Sequence, residues 1–381
     1  MSEIILRSFL GQKFKFIKNS VFYSYEVLLD KIKEFENVEL DSEDKIIINK
    51  IIHEMQLVKS FPSWWSEQES TYISKISSLD KIVKYLIFRY KFRVYPLERI
   101  QTKFPIYVAL EPVSACNLRC PFCFQVDSDF TRKPYTGIMD IALYKKAIDE
   151  CEENNTGAIT LASRGEPTLH PKFCEMLDYA SGKFFELKVN TNGTKLTDEI
   201  CHSIFKNKVD NIILSIDSEQ KDLYEKYRKN AVFDEVVKNV KNLYSIRKEF
   251  YPNSNTTIRI SGLNIEPEQD NKKFVEFWGQ WTDEISMDEV EERWDTYNNP
   301  IHSDLSTPCH YVWERFYIWW DGICNPCDVD YKSKLSPGKF DENNSIKEIW
   351  NSKEYKLLRL NHSSGMRSGC YPCDRCGSGT S

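Results

Sequence analysis

The segment Glu111-Pro-Val-Ser-Ala-Cys116-Asn-Leu-Arg-Cys120-Pro-Phe-Cys123 determines how the rest of this 381-residue chain is interpreted. Cysteine thiolates are the usual ligands of iron–sulfur clusters. Three such ligands on a cubane of four irons leave one iron without a protein ligand, and catalytic metal sites keep an open position of this kind. A zinc site would normally show two close pairs of ligands, and no second pair lies nearby in the sequence. The spacing therefore favours an open iron–sulfur site over zinc.

The chain has 12 cysteines, and six of the others lie between Cys309 and Cys376. A chain of this length can bury a core without disulfide staples, so clustered cysteines indicate metal ligands in a reducing compartment. The pattern therefore predicts a second metal site near the C-terminal end. The isolated cysteines are expected to be small buried hydrophobic residues: Cys151, Cys174 and Cys201.

Composition excludes several classes of function. The formal net charge of −6 argues against a nucleic-acid-binding surface, which would be basic. The 41% hydrophobic fraction is that of a globular protein, and no apolar run is long enough to span a bilayer. Charges are scattered through residues 1–20, without the cleavage pattern of a secretory signal. We therefore expect a cytoplasmic protein.

Hydrophobic periodicity divides the chain into three parts. Residues 1–105 show mostly helical spacing. Residues 106–300 alternate strand-like and amphipathic helical segments, the pattern of a parallel α/β sheet. Residues 301–381 combine a hairpin signal at Asp321-Gly322, a helix near 345–360 and the cysteine-rich end. The predicted strands are Tyr107–Leu110, Ala158–Ala162, Leu187–Thr191, Asn211–Ile216 and Thr257–Ile260. The predicted helices of the middle part lie near 140–154, 171–181, 197–207 and 233–249.

The pattern Cys116-x-x-x-Cys120-x-Phe-Cys123 resembles the signature of the radical S-adenosylmethionine (SAM) superfamily. The resemblance implies an α/β fold, a partial (β/α)6 TIM-like barrel that follows a helical N-terminal extension. It also implies that the free iron of a [4Fe–4S] cluster chelates the amino and carboxylate groups of SAM. Reductive cleavage of SAM then yields a 5′-deoxyadenosyl radical that abstracts a hydrogen atom, with the electron supplied by a donor such as flavodoxin or ferredoxin.

The motifs that follow the predicted strands resemble the SAM-binding positions of this family, and ligands bind at the C-terminal ends of parallel strands. The stretch Ser163-Arg164-Gly165-Glu166-Pro167 resembles the Gly-Gly-Glu-Pro turn, in which Gly165 and Glu166 would bind the SAM amino group. Arg164 replaces a glycine of that turn, a departure that would suit a subgroup with an anionic substrate. The resemblance implies further cofactor-binding positions at Phe122, Asn190, Asn192, Ser215, Asp217, Arg259 and Gly262.

The C-terminal cysteines resemble the cysteine-rich SPASM/twitch extension of radical SAM enzymes, which carries auxiliary [4Fe–4S] clusters. The cysteine series is shorter than that of the full two-cluster extension. The resemblance therefore implies one auxiliary cluster, with a structural zinc as the alternative. The predicted ligands are Cys309, Cys327, Cys370 and Cys373, with Cys324 and Cys376 as alternates.

The class of substrate is inferred from what the sequence lacks. Enzymes with this extension include maturases of peptides and proteins as well as enzymes of sugars and aminocyclitols. Residues 1–105 show no strand-rich segment like the peptide-recognition domain of many maturases. Because of that absence and the single auxiliary cluster, we expect a small polar, carbohydrate-like substrate that undergoes dehydrogenation or epimerisation. The alternatives are a peptide- or protein-modifying maturase and a non-catalytic metal-binding protein. The candidate acid–base groups are carboxylates near the predicted cluster loops: Asp127, Asp129, Glu314, Asp328 and Asp330.

Overall fold

The computed structural model describes residues 12–17, 23–290, 295–298 and 306–376. The chain divides into two compact units, one of residues 19–102 and a larger one of residues 1–18 with 103–381. Among the described residues, no helix combines the length and the apolar character that crossing a membrane requires.

The smaller unit is helical in its described part, as the spacing of its apolar residues predicts. Its helices are α1 (Tyr25–Ile32), α2 (Ser42–Val58), α3 (Glu67–Ile73) and α4 (Leu79–Glu98). Helix α2 begins after Asp41, whose carboxylate accepts a hydrogen bond from the Asp44 N–H at 2.8 Å. Helix α3 begins with a capping box between Ser66 and Glu69. The buried Glu69 carboxylate also pairs with the buried Arg89, which fixes α3 against α4.

The larger unit is built on one sheet. Its described strands are β1 (Gln12–Ile17), β2 (Tyr107–Leu110), β3 (Ala158–Leu161), β4 (Glu186–Thr191), β5 (Asn211–Ser215), β6 (Thr257–Asn264), β7 (Glu284–Glu289), β8 (Phe316–Ile318), β9 (Ile323–Asn325) and β10 (Gly338–Lys339). Their order is β1-β7-β6-β5-β4-β3-β2-β8-β9-β10. Strands β2 to β7 are parallel and form an open partial barrel, which confirms the predicted α/β fold class.

The two edges of this sheet are extended by other parts of the chain. Strand β1 pairs antiparallel with β7 at one edge. At the opposite edge β8 pairs parallel with β2 and continues into the antiparallel strands β9 and β10. The predicted Asp321-Gly322 turn joins β8 to β9, and Gly322 has a φ of +85° there. The C-terminal cysteine-rich segment is therefore attached to the barrel through a continuous sheet.

Helices of the larger unit follow the strands. They are α5 (Ile141–Glu153), α6 (Phe173–Ala180), α7 (Asp198–Lys206), α8 (Lys221–Tyr227), α9 (Phe233–Phe250), α10 (Asn271–Trp278), α11 (Tyr311–Glu314), α12 (Ile346–Trp350) and α13 (Lys353–Ser363). One face of the parallel strands packs against these helices with apolar residues such as Val108, Ile159 and Val189. Because side chains alternate along a strand, the opposite face carries polar residues such as Asn190 and Arg259.

Several elements differ from the sequence-based expectation. Strand β7 was not predicted, because three of its six residues are acidic and hide the apolar alternation of Ile285 and Met287. Strand β1 lies inside the region expected to be mostly helical, so residues 1–105 are not free of strand. The single helix expected near 345–360 is two helices, α12 and α13, and Ser352 begins the second by accepting a hydrogen bond from the Tyr355 N–H.

Candidate active site and cluster sites

Three cysteines lie on the loop that follows β2. Cys120 is buried, and Cys116 and Cys123 are partly buried. The Cys123 N–H donates to the Cys120 carbonyl at 3.0 Å, and the Leu118 N–H donates to the Cys116 Sγ at 3.4 Å. Burial raises the pKa of Cys116 to about 11 and of Cys123 to about 12, and repulsion from Cys120 adds to both shifts. This mutual repulsion indicates that the three thiols share one small region.

The turn after β3 lies directly against this loop. A Cβ added to Gly165 would lie 2.1 Å from the Val113 carbonyl oxygen, so only glycine allows this approach. The Glu166 N–H donates to the Ala115 carbonyl at 3.0 Å. Ser163, which precedes the turn, has a φ of +109°, a strained conformation for a residue with a side chain. The backbone of this turn is therefore fixed against the cysteine loop.

The Glu166 carboxylate joins the ends of β3 and β4. Its Oε1 accepts hydrogen bonds from the Thr168 and Thr191 hydroxyls at 2.6 and 2.7 Å. Its Oε2 accepts one from the Asn192 N–H at 2.7 Å. Burial raises the pKa of Glu166 even though these donors act in the opposite direction. Because Oε2 accepts from one donor among the described residues, it has the capacity to accept another hydrogen bond.

Two polar atoms on the inner face of the sheet test whether SAM fits this site. Asn190 Oδ1 and Arg259 Nε are buried and have no hydrogen-bond partner among the described residues. Arg259 is held by its Nη2, which donates to the Ser286 hydroxyl at 2.7 Å. A buried polar group without a partner is costly, and a polar cofactor would relieve that cost at both atoms. An amino-acid and nucleoside ligand therefore fits the donors and acceptors present here.

Other predicted cofactor positions are occupied by contacts within the protein. The Asn192 Nδ2 lies 3.8 Å from the Cys116 Sγ and donates to Asn117 Oδ1 at 3.0 Å. A Cβ on Gly262 would lie 2.4 Å from the Ile216 carbonyl oxygen, so this glycine allows β6 to pass close to the end of β5. Ser215 lies partly exposed at the end of β5. Their roles toward SAM remain predictions.

Arg228 is a site residue that the sequence did not reveal. Its guanidinium forms a two-pronged ion pair with Asp217, with Nε 2.5 Å from Oδ2 and Nη2 2.8 Å from Oδ1. Its Nη1 lies 3.9 Å from the Cys120 Sγ, and its guanidinium lies 5.4 Å from the centre of the Phe122 ring. Asp217, predicted as a cofactor position, therefore orients a cation beside a cysteine thiol.

Arg164 does not face a substrate, contrary to the expectation that it marks a subgroup with an anionic substrate. It is 3% exposed and pairs with the fully buried Glu111 carboxylate through Nε and Nη2, at 2.7 and 2.6 Å. Its Nη1 donates to the Tyr331 carbonyl at 2.8 Å. The guanidinium carbon also lies 4.1 Å from the centre of the Trp319 ring. All of these partners belong to the protein.

Most of the predicted acid–base carboxylates are also engaged. Asp127 accepts from the Tyr331 hydroxyl at 2.9 Å and pairs with Lys332 at 2.7 Å. Burial raises its pKa, but these contacts outweigh burial and the net pKa is lowered. Asp330 accepts from the Leu335 N–H at 2.7 Å, as part of a buried turn. These two carboxylates hold structure, and the sequence could not show it because their partners are in other segments.

The remaining three carboxylates differ in their surroundings. Glu314 is paired with Arg315 at 2.5 Å. Asp129 is exposed and lies 3.9 Å from Lys332. Asp328 is partly buried, and its negative charge, together with burial, raises the pKa of the inner-face residue Tyr317. Asp328 and Glu314 also both contribute to the raised pKa of Tyr107.

The C-terminal cysteines are brought together from separate segments. Burial raises the pKa of Cys309 to about 11, and it also raises the pKa of Cys327 and of Cys373. Repulsion between thiols adds to these shifts and links Cys309, Cys327, Cys370, Cys373 and Cys376. The alternate Cys324 is not among the thiols that raise the pKa of these cysteines, and its own charged neighbours are Asp321, Glu150 and Asp341. The alternate Cys376 is among those thiols, which leaves five thiols for the predicted four ligands.

Two basic side chains hold these segments. Buried Arg367 donates from Nε to the Cys373 carbonyl at 3.3 Å and from Nη1 to the Thr307 carbonyl at 3.1 Å. The Cys309 N–H donates to His362 Nδ1 at 3.1 Å. Neither residue carries a sequence signal, since their partners are main-chain groups. Among the described residues, no group of three or more histidine, cysteine or acidic side chains is arranged to hold a single metal ion.

An open three-cysteine site beside unpartnered polar groups, at the C-terminal ends of parallel strands and next to a second cysteine site, defines an enzyme that uses an iron–sulfur cluster and SAM. Residues 110–277 match the model of the radical SAM superfamily. Residues 309–377 match an iron–sulfur cluster-binding domain, SPASM, which favours a cluster over zinc at the C-terminal site. The chain belongs to the radical SAM superfamily, in the subgroup with a SPASM domain. Its cofactors are the [4Fe–4S] cluster and SAM, together with auxiliary iron–sulfur binding in the SPASM domain.

Three curated relatives are similar over part of their length. The tungsten-containing aldehyde ferredoxin oxidoreductase cofactor-modifying protein of Pyrococcus furiosus is 37% identical over 29% of this chain and 30% of its own. The mycofactocin maturase MftC of Mycobacterium tuberculosis is 30% identical over 36% of this chain and 34% of its own. The serine-type anaerobic sulfatase-maturating enzyme of Bacteroides thetaiotaomicron is 33% identical over 34% and 33%. The chain thus matches about a third of the length of each relative.

A solved structure shares the fold over nearly the whole chain. SuiB of Streptococcus suis, bound to S-adenosylmethionine, superposes with a TM-score of 0.54 over 91% of this chain and 90% of its own, at 14% identity. At that identity the likeness concerns the fold.

These comparisons correct the predicted substrate. The predicted carbohydrate-like substrate was wrong, since the relatives are named for maturation or for modifying a cofactor. The dehydrogenation or epimerisation predicted with that substrate is not confirmed. The prediction relied on the missing recognition segment in residues 1–105 and on the short cysteine series of the C-terminal region. That inference was weak in physical terms, because the absence of one kind of recognition element leaves other binding surfaces available. The comparisons do show that the chain is a radical SAM enzyme.

Proposed function

We propose that this radical SAM enzyme is a maturase that modifies a peptide or protein. The observation that carries the proposal is the similarity of the chain to relatives named as a maturase and as a sulfatase-maturating enzyme. The polar inner face of the barrel supports it, because a polypeptide presents amide groups that need hydrogen-bonding partners.

The chain supplies two sets of groups for this reaction. Cys116, Cys120 and Cys123 would hold the cluster, and Glu166 Oε2, Asn190 Oδ1 and Arg259 Nε would hold SAM. When bound, cluster and SAM supply a 5′-deoxyadenosyl radical that removes a hydrogen atom from the substrate. Phe122 would cover one side of the site, with the Arg228 guanidinium 5.4 Å from its ring centre.

Asp328 and Tyr317 are the groups we assign to proton movement. Tyr317 lies on β8, which pairs with β2 directly beside the cysteine loop. Asp328 follows Cys327 in the loop after β9, and its charge contributes to the raised pKa of Tyr317. In this assignment the auxiliary cluster in the SPASM domain would accept an electron from the substrate after hydrogen removal. A donor of the flavodoxin or ferredoxin class, in a reducing cytoplasm, would supply the electron that starts the reaction.

The test separates polypeptide from small-molecule substrates without knowing either. Cells of the source organism are grown in deuterated medium, and their extract is divided by dialysis into a retained polypeptide fraction and a small-molecule fraction. The anaerobically reconstituted enzyme is incubated with each fraction, SAM and a reductant. We expect deuterium in 5′-deoxyadenosine from the retained fraction only, and its loss after that fraction is digested with a nonspecific protease. Label from the small-molecule fraction alone would contradict the proposal, and the Cys120→Ala variant is the control.

A further inference from the structure

The buried pair of Arg164 and Glu111 joins three parts of the larger unit. Glu111 directly follows β2 and leads into the cysteine loop, and its Oε2 also accepts from the Trp320 N–H of the C-terminal hairpin at 3.2 Å. Arg164 belongs to the turn after β3, Ser163-Arg164-Gly165-Glu166-Pro167, which we call the SAM turn. Through its Nη1 it reaches the Tyr331 carbonyl, which lies in the SPASM domain. One guanidinium thus bonds the SAM turn to both the cysteine loop and the C-terminal domain.

Tyr331 belongs to the same loop as the cluster cysteine Cys327. The Asn325 Nδ2 donates to the carbonyls of Cys327 and Asp330, at 2.6 and 2.9 Å, so these residues form one bonded loop. The Tyr331 ring stacks on Phe124 with ring centres 5.0 Å apart. A change in the position of Cys327 would therefore move the carbonyl that Arg164 binds.

The SAM turn depends on Arg164 for its conformation. Ser163 is strained, and Gly165 is in contact with the cysteine loop, so small displacements there meet backbone atoms. Strained backbone persists where surrounding contacts over-determine it, and the Arg164 side chain makes three hydrogen bonds and a ring contact beside that position. Loss of any of its partners would release the turn that carries Glu166.

We propose that Arg164 is a positioning residue that makes SAM affinity depend on the order of the Cys327 loop, and hence on the auxiliary cluster that this loop helps to hold. The inference concerns cofactor binding and goes beyond the maturase proposal, because no substrate enters it. An isolated ion pair would not produce this dependence. The dependence arises because Arg164 donates a hydrogen bond to the main chain of the Cys327 loop.

The test is a double-mutant cycle read by SAM binding rather than by turnover. The dissociation constant of SAM is measured by anaerobic equilibrium dialysis on the full-length reconstituted wild type, Arg164→Gln, Cys327→Ala and the double variant. Electron paramagnetic resonance confirms that the three-cysteine cluster is present in each. We expect each single variant to weaken SAM binding about tenfold, and the double variant to bind no more weakly than the worse single variant, because linked residues are non-additive.

Two further variants serve as controls for this test. Arg132→Gln removes an exposed arginine of the loop that follows the cysteines, and it should leave SAM affinity within about twofold of wild type, as surface substitutions generally do. Arg164→Lys retains the charge and replaces Arg164→Gln if that variant does not fold. SAM affinity unchanged in Cys327→Ala, or losses that multiply in the double variant, would overturn the proposal. Neither result would bear on whether the substrate is a polypeptide.

Discussion

The two cysteine regions of this molecule reach similar chemistry by different routes. The first places three cysteines on one loop of eight residues, whose main chain hydrogen-bonds to itself between Cys120 and Cys123. The second draws five cysteines from segments up to 67 residues apart in sequence, between Cys309 and Cys376. Buried side chains such as Arg367 hold those segments together.

The geometry of the two sites has different origins. The first loop is shaped by its own sequence and by the strand ends that surround it. The second exists only when the C-terminal segments have folded, so metal binding and folding should be coupled there. The first site should therefore tolerate loss of the second better than the second tolerates loss of its own supporting residues.

The largest expected effect is on the first site itself. In Cys120→Ala, iron content should fall by about four per chain because one [4Fe–4S] cluster is lost, and formation of 5′-deoxyadenosine should fall to background. The C-terminal irons should remain. Iron analysis and chromatography of the products measure both outcomes. The control is Cys174→Ser, which changes an isolated, partly exposed cysteine; retention of SAM cleavage in Cys120→Ala would refute the site assignment.

A smaller but still large effect is expected at the second site. Arg367→Met leaves the carbonyls of Cys373 and Thr307 without their donor. The free energy of unfolding should fall by about 3 kcal/mol, because each buried acceptor left unsatisfied costs about 1–3 kcal/mol. The C-terminal irons should be lost while the first cluster stays. Anaerobic urea titration and iron analysis measure this, with the exposed Lys356→Gln as the charge control. Full iron content in Arg367→Met would mean that the cysteine segments hold themselves together.

Backbone packing should also be tighter in the first cysteine region than in the second. Gly165→Ala places a Cβ 2.1 Å from a carbonyl oxygen, whereas a Cβ on Gly369, next to Cys370, meets nothing within 4 Å. Gly165→Ala should lower the free energy of unfolding by about 1–3 kcal/mol and weaken SAM binding. Gly369→Ala should change stability by no more than about 0.5 kcal/mol. Urea titration and SAM dialysis compare the pair, and equal losses in both variants would remove the proposed contrast.

The sequence predicted the parts of the molecule that are local. Strands β2 to β5 lie within one residue of their predicted ends, and β6 extends the predicted strand by four residues, because short apolar alternation determines them. The three cysteines of the first site needed only their spacing. Strand β7 was missed because three of its six residues are acidic, and β1 because it lies in a region with helical spacing.

The partners of the site residues could not be predicted because they are distant in sequence. Arg228 lies 108 residues from the Cys120 thiol it approaches, and Arg164 lies 167 residues from the Tyr331 carbonyl it binds. A charged residue in a sequence resembles any solvated one until its partner is known. This is why Asp127 and Asp330 looked like acid–base candidates although both fix loops.

The smallest expected effect is on the reduction potential of the cluster at the first site. Arg228 places a cation 3.9 Å from the Cys120 sulfur. Reduction adds one negative charge to a cluster, and hydrogen bonds and charge near its sulfurs set the potential, so this cation favours the reduced form. Arg228→Gln should therefore lower the reduction potential by about 60 mV, the one-electron equivalent of a tenfold change in equilibrium. Asp217→Asn should raise it, because it removes the negative charge that pairs with Arg228. A redox titration that follows the paramagnetic resonance signal perturbed by SAM measures both variants on the first cluster alone. Shifts of the same sign in both would show that the pair acts by holding the loop rather than by its charge.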